Sequence, residues 1–306
     1  MNSLIYKIRN TIFKLSNESK KLIRPTFEEL NKYKNFNKDI DNKFALSFGG
    51  GRSGQNWFSK IFNSHPNWIG TCERFADYEA FYRYICYYNL PVSKEGFYNL
   101  LKLASNKDMS EYQNSLIASP YISFGLTELL EKLNVDYVFF NIRNPINTVE
   151  DFFTKGWYQS SEYLDLDSPL IDFTESQNYT FSRIIPQDDF KHEWKNLTRI
   201  GKISWFWSMI NNRLYLDFDK IKDKEKFYIR LEDIDKNYNI YENLAKKFLF
   251  KNKMTKKKFN KVIYKAGNKG EDIIYRYKDW NKLEKKEFDD ITEKFFPNYS
   301  KIKTTL

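Results

Sequence analysis

The densest chemistry in the chain lies in Phe44-Ala45-Leu46-Ser47-Phe48-Gly49-Gly50-Gly51-Arg52-Ser53-Gly54-Gln55-Asn56-Trp57. A short apolar run enters a glycine-rich turn and leaves it as a helical apolar stripe. Glycines let a backbone wrap an anion, and a helix N-terminus aims free N–H groups and a partial positive charge at it. The cradle is expected from Gly50, Gly51, Arg52, Ser53 and Gly54, with Arg52 adding a full charge. Gln55 and Asn56 add side-chain donors in the first helical turn. The turn is not that of a P-loop NTPase. No Gly-Lys-Ser/Thr is present, so the phosphate lysine and the magnesium-holding hydroxyl are missing from their usual places.

A second candidate is Asp136-Tyr137-Val138-Phe139-Phe140-Asn141-Ile142-Arg143-Asn144-Pro145. Asn144 suits a helix N-cap and Pro145 the first helical position, which leaves Arg143 at the carboxyl end of a strand. There it either faces a ligand crevice or pairs with a local carboxylate.

The elements that would position these residues follow from periodicity. Phe44–Phe48, Trp68–Thr71, Tyr137–Ile142 and Phe227–Leu231 read as short buried strands bounded by turn or polar residues. Helical stripes lie between them: Trp57, Phe58, Ile61 and Phe62; Leu126, Leu129, Leu130 and Leu133; Trp205, Met209 and Ile210; Leu244, Phe248 and Leu249. Strands alternating with helices predict a three-layer α/β fold, a mostly parallel central sheet flanked by helices. Such sheets bind ligands at the carboxyl ends of their strands. Residues 159–195 are polar and irregular and read as a substrate loop or an insertion with short helices of its own.

Composition narrows the classes. In 306 residues, 41% hydrophobic and 29% charged, the chain can build a packed core, and its apolar runs are too short to span a bilayer. Two cysteines and two histidines argue against a disulfide framework and against a metal centre. The net charge of +10 points to anionic partners, or to compositional drift. It is concentrated in residues 1–24 and 251–286, while the stretch between them is slightly acidic. Residues 251–286 could close over an anionic ligand or form a solvated lysine-rich face.

No apolar segment of secretory length follows the basic start, so a cytoplasmic protein is expected. Leu4, Ile5, Ile8, Ile12, Phe13 and Leu15 make residues 1–24 a basic amphipathic segment. It suits packing on its own domain or peripheral contact with an anionic membrane surface. Residues 25–306 read as a single domain.

The segment Gly49–Pro66 resembles the 5′-phosphosulfate loop of the sulfotransferase family, roughly Gly-x-x-[Arg/Lys]-Ser-Gly-Thr-Thr-Trp followed by a helix ending in His-Pro. The resemblance implies a P-loop-like sulfotransferase fold over residues 25–306. It implies sulfuryl transfer from 3′-phosphoadenosine-5′-phosphosulfate to a hydroxyl or amino group of a glycan, lipid or small molecule. No metal and no nucleic acid are expected. By carry-over Arg52 stabilises the leaving phosphate and Trp57 stacks on adenine, with Gln55-Asn56 in place of Thr-Thr. Arg143 matches the arginine of the family's 3′-phosphate motif. Asp151 stands where that motif has Ser, and a carboxylate repels a phosphate. Either Asp151 turns to a basic residue or the 3′ site is weakened. Lys269 and Arg276 resemble the basic residues of the family's C-terminal loop over the 3′-phosphate. Weaker likenesses at Lys202–Asn211, Phe227–Ile234 and Tyr241–Phe250 fall in family order. Glu73 is the first choice of general base, after the strand Trp68–Thr71, by likeness to the Cys-Gly-Glu segment of the tyrosylprotein branch. His192 is the second choice. The alternative is a silent relative that binds a nucleotide or glycan without turnover.

Overall fold

The computed structural model describes residues 27–33, 41–159, 183–266 and 273–306. The N-terminal segment 1–24, most of the irregular 159–195 stretch and Lys269 therefore lie outside the described residues. Five parallel strands form the sheet: β1 (Lys43–Phe48), β2 (Trp68–Cys72), β3 (Asn114–Ser119), β4 (Tyr137–Ile142) and β5 (Glu225–Arg230), in the order β2-β3-β1-β4-β5. The four strands read from sequence are β1, β2, β4 and β5, to within two residues at either end.

β3 carries no comparable signal in the sequence. Its run Asn114-Ser115-Leu116-Ile117-Ala118-Ser119 has three apolar residues between polar ones, yet every residue is buried. It is buried because β1 and β2 flank it on both sides. Burial on both edges and both faces, not local propensity, makes this segment a strand.

Side chains alternate across the sheet with period 2. Phe44, Leu46 and Phe48 of β1 join Val138, Phe140 and Ile142 of β4 in one core. Ala45, Leu116, Phe139, Phe227 and Ile229 enter the other. The first core is covered by α3 (Ala76–Tyr87), α5 (Leu126–Lys132), α6 (Pro145–Thr154), α8 (Arg199–Lys220) and α12 (Lys282–Phe295). The second is covered by α2 (Gln55–Phe62), α10 (Tyr238–Lys247) and α11 (Lys256–Ala266). Both faces of the sheet are thus buried, which gives the three layers.

Helix ends follow the sequence signals. The Asn144 side chain accepts from the N–H groups of Ile146 at 2.9 Å and Asn147 at 3.4 Å, and Pro145 opens α6. Helix α10 spans Tyr238–Lys247, so Phe248 follows it as C-cap and Leu249 is exposed rather than part of an apolar stripe. His65 is buried, stacked on Phe250 at 4.0 Å between ring centres, with Nδ1 3.0 Å from the Lys251 carbonyl. It is a core residue behind α2. No helix among the described residues is long and apolar enough to cross a membrane.

Candidate functional site

The strand order reverses at β1. Its carboxyl end opens between β3 on one side and β4 on the other, where open α/β sheets have their ligand crevice. The turn Gly49–Gly54 fills that position and leads into α2.

The conformation of this turn requires its glycines. A Cβ on Gly49 would sit 2.4 Å from the Asn141 carbonyl oxygen, and one on Gly50 would sit 2.7 Å from the Asn211 amide nitrogen. Gly51 and Gly54 have φ of 90° and 89°, in the left-handed region that favours glycine. Gly54 is the N-cap of α2, and no side chain caps that helix. No protein acceptor among the described residues meets the N–H groups of Gly50 through Gly54. A row of free donors therefore runs into a helix N-terminus, an arrangement with the chemistry to accept an anion.

The residues around this turn divide into those that build it and those that face it. Gln55 and Ser53 are buried, and the Gln55 Nε2 donates to Ser53 Oγ at 2.8 Å. Gln55 therefore stiffens the loop from behind. Asn56 is partly exposed in the first turn. Trp57 is 4% exposed and belongs to the second core, with its ring 6.4 Å from that of Phe58. Asn211, in the middle of α8, is 1% exposed. Its Nδ2 donates to the Trp207 carbonyl at 2.7 Å, while its Oδ1 beside Gly50 has no partner. The side-chain Nε of Arg52 is also buried without a partner. Other buried side-chain polar atoms among the described residues also lack a partner, Trp57 Nε1 in the following helix among them.

Arg52 and Arg143 converge. Arg143 Nη1 donates to the Arg52 carbonyl at 3.3 Å. Both guanidiniums meet Asp151 of α6 at its Oδ2, Arg52 through Nη2 at 3.4 Å and Arg143 through a short contact from Nη1. Asp151 thus pairs with both candidate anion-binding arginines at once. The turn bearing Arg143 is itself held, because the Asn144 N–H donates to Glu232 Oε1 at 2.7 Å.

Glu73 follows β2 directly and lies on the same side of the sheet as the loop. Its N–H donates to the Ala118 carbonyl at 3.0 Å, and its φ is 51°. Arg52 shares this left-handed conformation at φ 53°. For residues other than glycine that conformation costs roughly 1–2 kcal/mol each. Both residues stand at the carboxyl ends of strands, β1 and β2, which lie on either side of β3. Loss of solvent around Glu73 raises its pKa above the ordinary carboxyl value, and the charges of Arg52 and Arg83 oppose the rise. The side chain keeps an exposed surface, so part of this effect is screened by water.

Behind Glu73 lies a buried polar group that the sequence reading did not single out. Glu79 is fully buried and accepts from Ser119 Oγ at 2.6 Å and from the Phe75 N–H at 3.0 Å. Burial pushes its pKa up to about 7. Arg83 is 1% exposed and donates through Nε to Ser123 Oγ at 2.8 Å and to the Tyr121 carbonyl at 3.1 Å. Burial lowers its pKa to about 10. Nothing in a strand or helix pattern announces these two residues. They sit at helical spacing within an aromatic run whose core role masks them. Asn211 is hidden for the same reason, inside the apolar stripe of α8.

The remaining candidates lie farther out. Arg276 is exposed at the start of a 3₁₀ turn (Tyr277–Asp279), its N–H donating to Asp279 at 3.1 Å. That segment is tied to α6, with the Tyr277 N–H on Glu150 at 2.7 Å and the Tyr275 ring 4.8 Å from Phe153. His192 is exposed on the short helix α7 (Phe190–Asn196). Cys72 and Cys86 are free and partly buried, and burial raises both thiols, that of Cys86 to about 11. No group of three or more His, Cys, Asp or Glu side chains that could hold a metal occurs among the described residues. Compared with known protein families and with curated proteins, the chain matches none.

Proposed function

We propose that the chain binds a nucleotide by its 5′ anion in the Gly49–Gly54 nest and transfers a sulfuryl group from a nucleoside phosphosulfate to an acceptor hydroxyl or amino group. The observation that carries this reading is the row of unpartnered N–H groups at the switch point, flanked by Arg52 and followed by an uncapped helix. The donor implied by the sequence resemblance is 3′-phosphoadenosine-5′-phosphosulfate, and the acceptor classes it implies are glycans, lipids and small molecules. The orphaned Arg52 Nε and Asn211 Oδ1 fit a site that a polar ligand completes.

The donor supplies an activated sulfuryl group on a good leaving phosphate. Loop N–H groups and Arg52 stabilise the charge that gathers on the leaving oxygen as its bond to sulfur breaks. The acceptor oxygen forms the new bond to sulfur from the opposite side and gives its proton to Glu73. A base is most effective when its pKa lies near the working pH, and the raised pKa of Glu73 moves it in that direction. Two bound arginines and a pre-formed nest act as fixed charges, so little reorganisation is needed at the moment of transfer.

One observation favours a second reading, in which the chain binds a nucleotide without turnover: Asp151 already neutralises part of the Arg52–Arg143 charge. The two readings separate in one assay. Labelled sulfuryl transfer is followed from adenosine 5′-phosphosulfate, with and without its 3′-phosphate, to a panel of glycans, lipids and phenols. The proposal expects a labelled product that disappears with Arg52→Ala in a folded variant. Nucleotide binding with no product on any acceptor supports the silent relative, and binding of neither donor overturns both.

A further inference from the structure

A basic surface lies at the other end of the sheet from the glycine loop. Residues 243–270 contain no Asp or Glu, and no arginine lies between Arg230 and Arg276. Within that stretch Lys246, Lys251 and Lys253 flank the turn after α10, and Lys256, Lys257, Lys258 and Lys261 stand on α11. All of these are exposed, and none is paired with a carboxylate. The adjacent Lys247 does have a partner, Glu225 at 2.6 Å. Charge placement on α11 works against the helix itself. Its first turn is Lys256-Lys257-Lys258 with no acidic residue, so three cations sit at the positive end of the helix dipole. Phe259 turns into the second core at 1% exposed, which leaves Lys257 and Lys261 on the outward face as a like-charge pair four residues apart. A surface of fixed negative charge relieves each of these repulsions.

The turn between α10 and α11 adds an apolar side chain to this surface. Leu249 is 78% exposed, while Phe248 and Phe250 on either side of it are buried. Three bonds tie the turn to the sheet. Trp68 Nε1 donates to the Phe248 carbonyl at 3.1 Å, Asn67 Nδ2 to the Leu249 carbonyl at 3.1 Å, and the Lys251 N–H to Asn67 Oδ1 at 3.0 Å. Leu249 is therefore held outward by its anchored neighbours. The start of α11 is fixed beside the turn, because the Met254 N–H donates to Tyr241 Oη at 2.6 Å and that hydroxyl lies 3.4 Å from His65 Nε2. Trp68 opens β2, so the turn stands at the amino-terminal edge of the sheet, and the glycine loop stands at the carboxyl edge.

We infer that the turn after α10 and helix α11 form a docking surface for an anionic lipid bilayer, with Leu249 entering the headgroup region and the unpaired lysines lying over the lipid anions. Lysine without arginine suits a diffuse anionic surface, because each ammonium acts as a point charge. Nucleic acid is met instead by arginine forks and by aromatic rings that stack on bases. An exposed leucine gains nothing on a phosphate backbone, but it gains by leaving water for the acyl boundary. The inference does not depend on the nucleotide-binding reading. Docking by this edge leaves the glycine loop at the edge turned away from the bilayer.

The test is co-sedimentation of the full chain with vesicles of phosphatidylcholine alone and of phosphatidylcholine mixed with phosphatidylserine. Binding to the mixed vesicles only is expected, and it should weaken as salt is added. The double substitution Lys257→Glu with Lys261→Glu should lower the partition coefficient roughly tenfold or more. Leu249→Ser should lower it on the order of tenfold. Circular dichroism should stay unchanged in both, since only exposed side chains are replaced. Residues 1–24 can supply membrane contact of their own, so the variants decide: a partition that either folded variant leaves unchanged overturns the inference. Equal binding to both kinds of vesicle, or binding to neither, also overturns it. A labelled single-stranded oligonucleotide that binds where mixed vesicles do not assigns the lysine face to nucleic acid and overturns it likewise. The two variants change separate exposed sites, so failure of one to fold leaves the other to decide.

Discussion

At the scale of single residues, the account depends on a few side chains whose roles can be separated. Arg52→Ala removes the full charge beside the nest, and charge-assisted bonds contribute on the order of 1.5–3 kcal/mol. Nucleotide affinity should therefore fall roughly 10- to 100-fold, read by titration, with the circular dichroism spectrum unchanged. Glu73→Gln should leave that affinity intact and lower the transfer rate by about 10²–10⁴-fold, the range for loss of a general base. Glu73 must be deprotonated to act, so kcat/KM should rise with pH through a limb lying above the ordinary carboxyl value, and the Gln variant should lose that limb. A limb unchanged in Glu73→Gln would assign the base elsewhere, with His192 the next residue to replace. Gly54→Ala forces a Cβ toward Leu231 in a left-handed turn, and a stability loss of about 1–2 kcal/mol or more is expected from the conformation alone. Much of this site was legible from residue type and spacing. Gly50 to Gly54, Arg52 and Arg143 stand at strand ends as their patterns require. Two things were not legible. Which way the Gln55 amide turns depends on Ser53 and on the tight space behind Gly49. That Asp151 meets both arginines depends on how α6 crosses the loop.

At the scale of elements, the site is held by the ends of β1, β2, β3 and β4 and by α6 and α8 behind them. β3 is the element that sequence reading missed, because its pattern is weak and its burial comes entirely from its neighbours. It should be correspondingly sensitive: Leu116→Ala, fully buried in the second core, is expected to cost about 2–5 kcal/mol in a denaturant titration. The carboxyl end of β3 also carries Ser119, which donates to the buried Glu79 of α3. The folded pKa of Glu79 lies above its unfolded value, so the folded state binds the extra proton. Its contribution to stability is present below pH about 4.5 and is lost as pH rises toward about 7. Thermal melts across that window should show this decline, and Glu79→Gln should flatten it. A decline of equal size in the Gln variant would assign it to other groups. The caps were read correctly where a single residue decides, as at Asn144-Pro145. The end of α10 was not, because the apolar residues Phe248 to Phe250 extend the stripe beyond the helix and the chain turns there, with Leu249 at φ 49°.

At the scale of the whole molecule, two cores sandwich a five-stranded parallel sheet, and the strand order places one glycine loop at its reversal point. The sandwich was legible because alternation along β1 and β4 and the helical stripes agree with one another. The strand order was not, since a parallel sheet leaves no local trace of which strands are neighbours. The net charge of +10 is a property of the chain rather than of the site. The exposed lysines Lys256, Lys257, Lys258 and Lys261 lie on α11, on the opposite face of the sheet from α6 and its Asp151. Raising salt should accordingly weaken nucleotide binding less than a contact with this lysine-rich face would weaken, because half-buried charges are screened less than exposed ones. The central claim is that the Gly49–Gly54 turn and Arg52 form one anion site. Its most direct measurement is calorimetric titration of 5′-AMP into the wild-type chain, Arg52→Ala and Gly50→Ala, with adenosine as the uncharged control. The account predicts binding of the nucleotide but not of adenosine by the wild type, and loss of tenfold or more in both variants. Equal binding of 5′-AMP by all three proteins, or of adenosine and 5′-AMP by the wild type, would contradict it.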